Sequence, residues 1–374
     1  GRYRGRDDEG AQDHRKRVED SNHLLYPSVG RCNGDHQRDQ SPIGMPLQLL
    51  TQVGSEASEG MRVRDRSAPD DLDPQIAEWL HAAPPADVDF ADIAAIRAMS
   101  DAYMRETGGP APRFADPRVR LESDRFGGVD ALVWAPTDQP SRGTVIAAHG
   151  GGFIVGSALG AERVAVPLAA EHGITTVSVE YRLTPEHRAP AAFEDMVTVL
   201  EHLDPSVPTV AHGSSAGATL AAGLALWARD HDLRLVGQSL SCPAVDDRVI
   251  DDVWSPTWTA EATRWMWRHY LGGDAPLPYV IPARHDDLRG APPAHIVIAA
   301  HDTLRSQGLA YAQRLRDQQV AVSVHDAPGT VHGFDGLLPG SDAARAAIEA
   351  QVAAIAGWIT NGITNRITGA SAEP

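Results

Sequence analysis

Short apolar runs alternate with amphipathic segments along most of the chain, and the two patterns predict different elements. Runs rich in β-branched residues and bounded by Gly, Pro or charged residues are typical of buried strands, whereas apolar residues three and four positions apart are typical of helices. The predicted strands are 118–122, 129–134, 144–148, 174–179, 208–211, 233–240, 295–300 and 320–325. The predicted helices begin at Asp73-Pro74 and then cover 90–106, 161–172, 191–203, 219–228, 260–270, 304–318 and 343–359.

Strands that alternate with helices in this way predict an α/β protein with a mainly parallel central sheet flanked by helices. The first two strands, joined by Gly127-Gly128, predict an antiparallel hairpin. We expect residues 69–374 to form this domain. Residues 1–68 are polar and lack hydrophobic periodicity, so we predict a leader that is disordered or not native to the protein, with Met45 and Met61 as alternative starts.

Two regions fall outside the alternation. Two amphipathic helices precede the first strand, and the segment 243–290 separates two sheet strands and holds half of the eight tryptophans. We expect residues 70–110 and 243–290 to form a helical cap over the carboxyl edge of the sheet, where large aromatic residues line a pocket. The alternative, that these aromatic residues are the core of a cap subdomain or pack on the body, stays open.

The formal net charge is −17, and the acidic residues in excess all follow the leader, because residues 1–66 contain eleven basic and eleven acidic residues. An acidic body repels nucleic acid and anionic membranes, so we expect neither as a partner. The two cysteines, Cys32 and Cys242, are too few for a disulfide framework or a cysteine-based zinc site. Without an apolar run of about eighteen residues or an N-terminal signal core, we expect a cytoplasmic protein.

The sequence Gly213-x-Ser215-x-Gly217 lies between an apolar strand and a helix rich in alanine and leucine. In this strand–turn–helix context the pattern predicts a nucleophile elbow. Glycine is expected on both sides of the turn because a side chain there collides with the neighbouring strand and helix. Ser215 then presents its hydroxyl at the positive end of the following helix. The alternative is a Gly/Ser turn that only caps a helix.

A serine nucleophile needs a base, and the base needs a carboxylate that orients it. Asp302 follows the predicted strand 295–300, and His332 lies in a loop beyond the last strand. The order Ser215, Asp302, His332 is the order in which this sheet topology places a triad. Asp326, at the end of the last strand, is the rival acid.

The loop after the strand 144–148 reads His149-Gly-Gly-Gly-Phe. Its glycines leave main-chain N–H groups open to a substrate oxygen, which predicts an oxyanion hole with the N–H of Ala216 as a second donor. A phosphate-binding loop is the competing interpretation, but no Lys-Ser/Thr follows. Because His149, His212 and His301 also end strands, we considered a metal site; we expect them to brace loops, and we expect no metal and no cofactor.

Five motifs in this order resemble the hormone-sensitive-lipase-like esterases of the α/β-hydrolase fold, and the resemblance covers about residues 74–360. The motifs are HGGGF at 149–153, YRLTPEH at 181–187, GxSxG at 213–217, DxLR at 302–305 and HGF at 332–334. The resemblance implies a triad of Ser215, Asp302 and His332. It implies an oxyanion hole formed by Gly151, Gly152 and Ala216. It also implies that the two N-terminal helices and the Trp-rich insertion build the cap, and that 181–186 braces the glycine loop.

Two positions depart from the family pattern. The family usually has Asp before the nucleophile and a second Gly after the first, where this chain has Ser214 and Ala218. Ser214 removes a negative charge next to the nucleophile, which changes the electrostatics of the triad or the hydrogen bonds of the turn. No catalytic group is lost.

These observations predict a carboxylic ester hydrolase that acts on small-molecule esters with short to medium acyl chains. A related acyl hydrolase acting on an amide, lactone, carbamate or N-acetyl substrate is the first alternative, because the same triad serves all acyl transfer. A noncatalytic binding protein on the same fold is the second. The sequence does not distinguish a monomer from a homodimer.

Overall fold

The computed structural model describes residues 67–82, 88–106, 114–273 and 279–368. Apart from its last two residues, the predicted leader 1–68 lies outside the described residues, and so do Cys32, Met45 and Met61. Parts of the predicted cap, at 83–87, 107–110 and 274–278, also lie outside them, as do residues 111–113.

Eight strands of the described chain form one sheet in the order β1-β2-β4-β3-β5-β6-β7-β8. The strands are β1 (Val119–Phe126), β2 (Val129–Pro136), β3 (Thr144–Ala148), β4 (Thr175–Val179), β5 (Thr209–Ser214), β6 (Leu235–Ser241), β7 (Ala294–His301) and β8 (Val322–Val331). β2 pairs antiparallel with β1 and β4, and every other neighbouring pair is parallel. The predicted hairpin and the mainly parallel sheet are therefore confirmed.

The helices of the described chain are α1 (Pro74–Ala82), α2 (Ile93–Glu106), α3 (Glu162–His172), α4 (Ala191–His202), α5 (Ala216–Asp230), α6 (Ala260–Leu271), α7 (Arg305–Asp317), α8 (Phe334–Leu337) and α9 (Asp342–Thr368). Short 3-10 helices cover Ala158–Ala161 and Pro282–Arg284. None of the helices in the described ranges is both long enough and apolar enough to cross a membrane.

The sheet is buried on both faces, as expected for parallel strands covered by helices. In β3, Ile146 and Ala148 belong to the apolar cluster that includes α4, α5 and α7, whereas Val145 and Ala147 belong to the cluster that includes α3 and α9. The continuous apolar run of this strand is therefore shared between two helical layers. This arrangement leaves the carboxyl edge of the sheet free for the loops that carry polar residues.

Several predicted boundaries differ from the structure, among them the end of β1 at Phe126 rather than 122 and the end of β5 at Ser214 rather than 211. β8 continues to Val331 rather than ending at 325, although His325, Asp326 and Pro328 are poor strand residues. The strand is at the edge of the sheet, where polar side chains face solvent and a proline needs no ladder partner. α5 begins at Ala216, directly after the predicted nucleophile, and α9 runs nine residues beyond the predicted 359.

Some aromatic residues of the insertion pack in the core, and another lies beside the predicted triad. Trp267 and Tyr270 of α6 are buried in the main core, where Tyr270 stacks on Phe153 with ring centroids 3.8 Å apart. Trp258 is only partly buried and lies beside His332. The division of the chain into a body and a cap at 70–110 and 243–290 stays a prediction.

Candidate active site

The predicted elbow is a sharp turn between β5 and α5. Ser215 has a φ of 53° and a ψ of −118°, which a residue with a side chain rarely adopts. A Cβ on Gly213 would overlap the main-chain oxygen of Gly217, and a Cβ on Gly217 would overlap that of Ala148. The two glycines are therefore required by contact. The Ser215 N–H donates a 2.8 Å hydrogen bond to the carbonyl of Ser241, which holds the strained residue in place.

The structure brings the three predicted triad residues together. Oγ of Ser215 lies 3.0 Å from Nε2 of His332, and Nδ1 of His332 lies 2.8 Å from Oδ2 of Asp302. The other carboxylate oxygen of Asp302 accepts a 2.9 Å hydrogen bond from the N–H of Leu304. A carboxylate accepts and cannot donate, so it fixes the proton of His332 on Nδ1 and leaves the Nε2 lone pair facing the serine.

Strand pairing explains why Asp302 and His332 meet. β7 ends at His301 and β8 ends at Val331, and these two residues are register partners. The next residue of each strand therefore leaves the sheet at the same point of its carboxyl edge. Ser215 and His332 are 7% exposed and Asp302 is 1% exposed, so the hydrogen bonds between them are shielded from bulk water.

Asp326, the rival acid, is engaged elsewhere. Both of its oxygens lie 2.7 Å from the guanidinium of Arg305, which lowers the pKa of this carboxyl group. Its side chain is half exposed, and it is Asp302 that contacts His332.

The glycine loop passes directly over the elbow. A Cβ on Gly150 would lie 3.4 Å from Cβ of Ser215, and both Gly151 and Gly152 have positive φ angles, of 117° and 62°. No acceptor within the described ranges pairs with the main-chain N–H of Gly151, Gly152 or Ala216. Ala216 is the first residue of α5, whose N–H has no partner inside the helix. These three donors are thus available to an oxygen of a substrate.

His149 braces this loop, as expected. Its Nδ1 lies 2.7 Å from the carbonyl oxygen of Gly150, and its ring stacks on Tyr181 with centroids 4.1 Å apart. The Tyr181 hydroxyl donates a 2.8 Å hydrogen bond to the His149 carbonyl. Burial lowers the pKa of His149 to about 4, so the ring is neutral at pH 7. The segment 181–186 also contacts the loop through the N–H of Thr184, which donates to the Phe153 carbonyl at 2.9 Å.

Sequence reasoning missed Arg97. Its guanidinium donates to the carbonyl oxygens of Ile154 and Thr184 at 3.1 and 2.9 Å and to both oxygens of Glu186 at 2.6 and 2.8 Å. One side chain of α2 thereby connects the glycine loop with the segment that braces it. The only sequence signal is an arginine within an otherwise apolar helical stretch.

Trp258 forms a wall of the site. Its ring centroid lies 5.8 Å from that of His332 and 5.3 Å from that of Phe90, and a Cβ on Gly152 would lie 2.8 Å from its ring. The indole N–H donates a 3.0 Å hydrogen bond to Oγ1 of Thr263, which fixes the ring. Thr257 donates to the carbonyl of His332 at 2.8 Å, so the insertion holds the histidine loop as well.

One set of potential metal ligands exists within the described ranges: Cys242, Asp302 and His332, with ligand atoms within 4.8 Å of one another. Two of these residues already pair with each other, and burial raises the pKa of the Cys242 thiol, which keeps it protonated. The histidines considered from the sequence do not form such a set in the described chain. His212 lies inside β5, and Nε2 of His301 lies 3.2 Å from Asp71.

Known proteins share this architecture. Residues 145–336 match the family described as the alpha/beta hydrolase fold. Esterase LipI of Mycobacterium tuberculosis is 31% identical over 71% of this chain and 88% of its own length. A bacterial heroin esterase superimposes with a TM-score of 0.70 at 30% identity, covering 77% of this chain and 98% of its own. Esterase LipW of Mycobacterium marinum superimposes with a TM-score of 0.68 at 33% identity, covering 77% of this chain and 96% of its own. The chain therefore belongs to the hormone-sensitive-lipase-like esterase family of the α/β-hydrolase fold.

Proposed function

We propose that the protein hydrolyses carboxylic esters of short to medium acyl chains through an acyl-enzyme formed on Ser215. The observation that carries the proposal is the hydrogen-bonded series from Ser215 through His332 to Asp302, with distances of 3.0 and 2.8 Å. Esterases and carboxylesterases among the relatives support ester hydrolysis as the reaction.

In the first half of the reaction, Nε2 of His332 takes the Ser215 proton while Oγ forms a bond to the acyl carbon. The carbonyl electron pair moves onto oxygen, and the resulting oxyanion accepts hydrogen bonds from the N–H groups of Gly151, Gly152 and Ala216. Each such donor contributes about 2.7–4 kcal/mol to transition-state stabilisation in serine hydrolases. The bond to the alcohol then breaks, and His332 protonates the leaving oxygen.

In the second half, His332 takes a proton from water while the water oxygen bonds to the acyl carbon, which forms a second tetrahedral intermediate. The bond between the acyl carbon and Oγ of Ser215 then breaks, His332 returns the proton to Oγ, and the carboxylic acid leaves. Asp302 keeps the imidazole in the required tautomer and stabilises the imidazolium formed in both halves. Nothing in this sequence of proton transfers requires a cofactor.

The acyl-chain range is inferred from the site wall. Trp258 is fixed through Thr263 and contacts both the glycine loop and Phe90. The site therefore has less depth for an acyl chain than a site covered by a mobile apolar lid. An apolar site of limited depth favours short and medium acyl groups.

The test is hydrolysis of a p-nitrophenyl ester series from acetate to palmitate, with wild type, Ser215→Ala and Ser178→Ala. Ser178 is a matched control because it is also buried and lies in β4, and its hydroxyl has no hydrogen-bond partner within the described ranges. We expect turnover to peak at or below octanoate in the wild type and in Ser178→Ala, and to vanish in Ser215→Ala. Retained turnover in Ser215→Ala would refute the nucleophile.

A fluorophosphonate label gives a readout that does not depend on the substrate. We expect a mass increase on the peptide that contains Ser215. A labelled but ester-inactive protein would assign the site to another acyl substrate, and amide and lactone analogues of the same acyl group would identify it. A protein that is neither labelled nor active would be a noncatalytic binder.

From the sequence alone we infer a cytoplasmic location. We also infer a small-molecule ester as the substrate, and neither nucleic acid nor a membrane as a partner. Fractionation of cells that express the protein, with esterase activity as the marker, tests the location. Light scattering on the purified protein tests the homodimer.

A further inference from the structure

A buried carboxylate that the proposed reaction does not use lies beside the elbow. Asp335, in the first turn of α8 and three residues after His332, is 4% exposed. Its Oδ2 accepts a 3.2 Å hydrogen bond from the hydroxyl of Ser241, and its Oδ1 has no hydrogen-bond partner in the described chain. Burying a carboxylate with so few partners is costly.

No ion pair within the described ranges neutralises Asp335. His212 is close enough to interact with its charge, but burial lowers the pKa of His212 to about 4, so this ring is neutral at pH 7. The guanidinium of Arg163 packs against the neighbouring Gly336, 3.0 Å from where a Cβ would lie, without pairing with the carboxylate. The charge of Asp335 therefore acts on its surroundings uncompensated by direct contact.

Ser241 connects Asp335 to the nucleophile. Its carbonyl oxygen accepts the 2.8 Å hydrogen bond from the N–H of Ser215, and its Cα is the register partner of Ser214 across β5 and β6. Register partners on neighbouring strands project their side chains to the same face of the sheet. Asp335 thus reaches, through Ser241, the face on which the side chain of Ser214 lies.

We propose that Asp335 supplies, from α8, a buried negative charge that acts on the nucleophile elbow through Ser241, beside the position of Ser214. The proposal rests on the proposed roles of Ser215 and His332. Asp335 is a positioning residue: it orients Ser241, whose carbonyl holds the strained Ser215, and its charge stabilises the imidazolium that His332 forms.

One carboxylate, at position 335 or at position 214, is enough to supply this charge. A carboxylate at 214 and a carboxylate at 335 would lie on the same face near one register pair, and like charges that share a buried site disfavour each other. Ser214→Asp should therefore be harmful in the wild type and beneficial once Asp335 has lost its charge. A purely structural role of Asp335 does not predict this reversal.

The experiment compares wild type, Asp335→Asn, Ser214→Asp and the double variant on p-nitrophenyl acetate, with kcat, KM and the pH profile of kcat/KM. We expect Asp335→Asn to lower kcat about tenfold with KM within about twofold, because the charge acts on the transition state and not on binding. We expect the double variant to recover most of kcat, and Ser214→Asp alone to be slower than wild type. A Ser241→Ala variant, which removes the connecting hydroxyl, should share the kcat loss.

The pH profile separates charge from packing. The titratable groups that interact with the charge of Asp335 are Cys242 after β6, which also interacts with Asp302, and His212 of β5. Arg163 of α3 packs beside the neighbouring Gly336. Because a structural role alone leaves the charge of the site unchanged, we expect the pH profile of kcat/KM to change in Asp335→Asn and to return in the double variant.

Three outcomes would overturn the proposal: Asp335→Asn with wild-type kcat and pH profile, a double variant as slow as Asp335→Asn, or Ser214→Asp at least as fast as wild type. The last outcome remains decisive if Asp335→Asn does not fold. Ser215→Ala, measured in parallel, distinguishes the two failures. If it retains turnover, the proposed function fails; if it is inactive while Asp335→Asn behaves as wild type, only the role of Asp335 fails.

Discussion

Nε of Arg97, in helix α2, donates a 3.1 Å hydrogen bond to the main-chain oxygen of Ile154, in the loop that follows β3. The same guanidinium binds the carbonyl of Thr184 and the carboxylate of Glu186. The ion pair with Glu186 is partly exposed and contributes little to stability by itself. The two main-chain contacts matter more, because they hold in place the glycine loop whose N–H groups we propose as oxyanion donors.

Replacement of Arg97 by Ala should therefore lower activity more than stability. We expect kcat/KM for p-nitrophenyl acetate to fall at least about tenfold, since small displacements of oxyanion donors are costly. Arg118→Ala is the matched control, because Arg118 forms an equally close pair with Asp116 near the edge strand β1. Equal kinetic losses in the two variants would show that Arg97 has no specific effect on the loop.

Asp302 and Asp326 provide a direct test of the triad acid. Asp302→Asn keeps the shape of the side chain but lets its amide donate to His332, which favours the wrong tautomer of the imidazole. We expect kcat to fall by about 10⁴, the effect of the corresponding change in a well-studied serine protease. Asp326→Asn loses only a half-exposed ion pair with Arg305 and should stay within about twofold of wild type. The reverse ranking would make Asp326 the acid.

Two Gly→Ala substitutions, one in the elbow and one in α9, should change stability in opposite directions. In Gly217→Ala the new methyl group overlaps the carbonyl oxygen of Ala148, so we expect loss of the folded elbow and of activity. Gly357, inside α9, has an ordinary helical backbone, and no atom lies within 4 Å of the position that an added methyl group would occupy. Gly357→Ala should raise the free energy of unfolding by about 0.5–1 kcal/mol. Urea denaturation of both variants, with activity measured alongside, checks this contrast.

Two members of the candidate triad were predictable because each follows a strand whose apolar pattern is readable. Ser215 follows the run that forms β5, and Asp302 follows the run that forms β7. The oxyanion loop follows β3 for the same reason. The parallel arrangement then places all three at one edge of the sheet, so the order of the residues along the chain was sufficient to propose their roles.

Contacts that depend on long-range pairing were not predictable from these patterns. Arg97 binds main-chain oxygens, which every residue possesses, so no residue type identifies its partners. The extension of β8 to Val331 depends on pairing with β7 and overrides the polar residues within it. Asp335 lies in α8, a helix of four residues, which is too short to show periodicity.

Buried neutral histidines should make the protein less stable in mild acid. Burial lowers the pKa of His149 and His212 to about 4, below the value of about 6.5 expected in the unfolded chain. Between these pH values the unfolded state therefore binds more protons than the folded state. The contribution of the two neutral histidines to the free energy of unfolding is fully present above pH 6.5 and is lost as the pH drops towards 4. A shift of this size corresponds to about 3 kcal/mol per histidine at pH 4.

His212→Gln removes one of these titrations. We expect the difference in unfolding free energy between pH 7 and pH 4.5 to be smaller in this variant than in wild type by about 2–3 kcal/mol. Exposed His202, whose Nδ1 contacts only the Thr198 carbonyl of its own helix, provides the matched control His202→Gln, which should keep the wild-type pH dependence. Identical pH dependence in all three proteins would contradict the assignment of a neutral, buried His212.

Trp258 should set the length of the acyl chain that the site accepts. Its ring lies against the position of Gly152 and 5.3 Å from the ring of Phe90, so truncation to Ala opens space next to the oxyanion loop. Each additional methylene that the enlarged site buries is favourable by about 0.8 kcal/mol, and we expect the optimum of the p-nitrophenyl ester series to move to longer chains by about two to four carbons. Trp258→Phe should shift the optimum less. Trp265→Ala is the matched control in the same insertion, because Trp265 packs on His269 and Arg268 and not on the triad. An unchanged optimum in Trp258→Ala, or an equal shift in Trp265→Ala, would assign the limit on chain length to another part of the site.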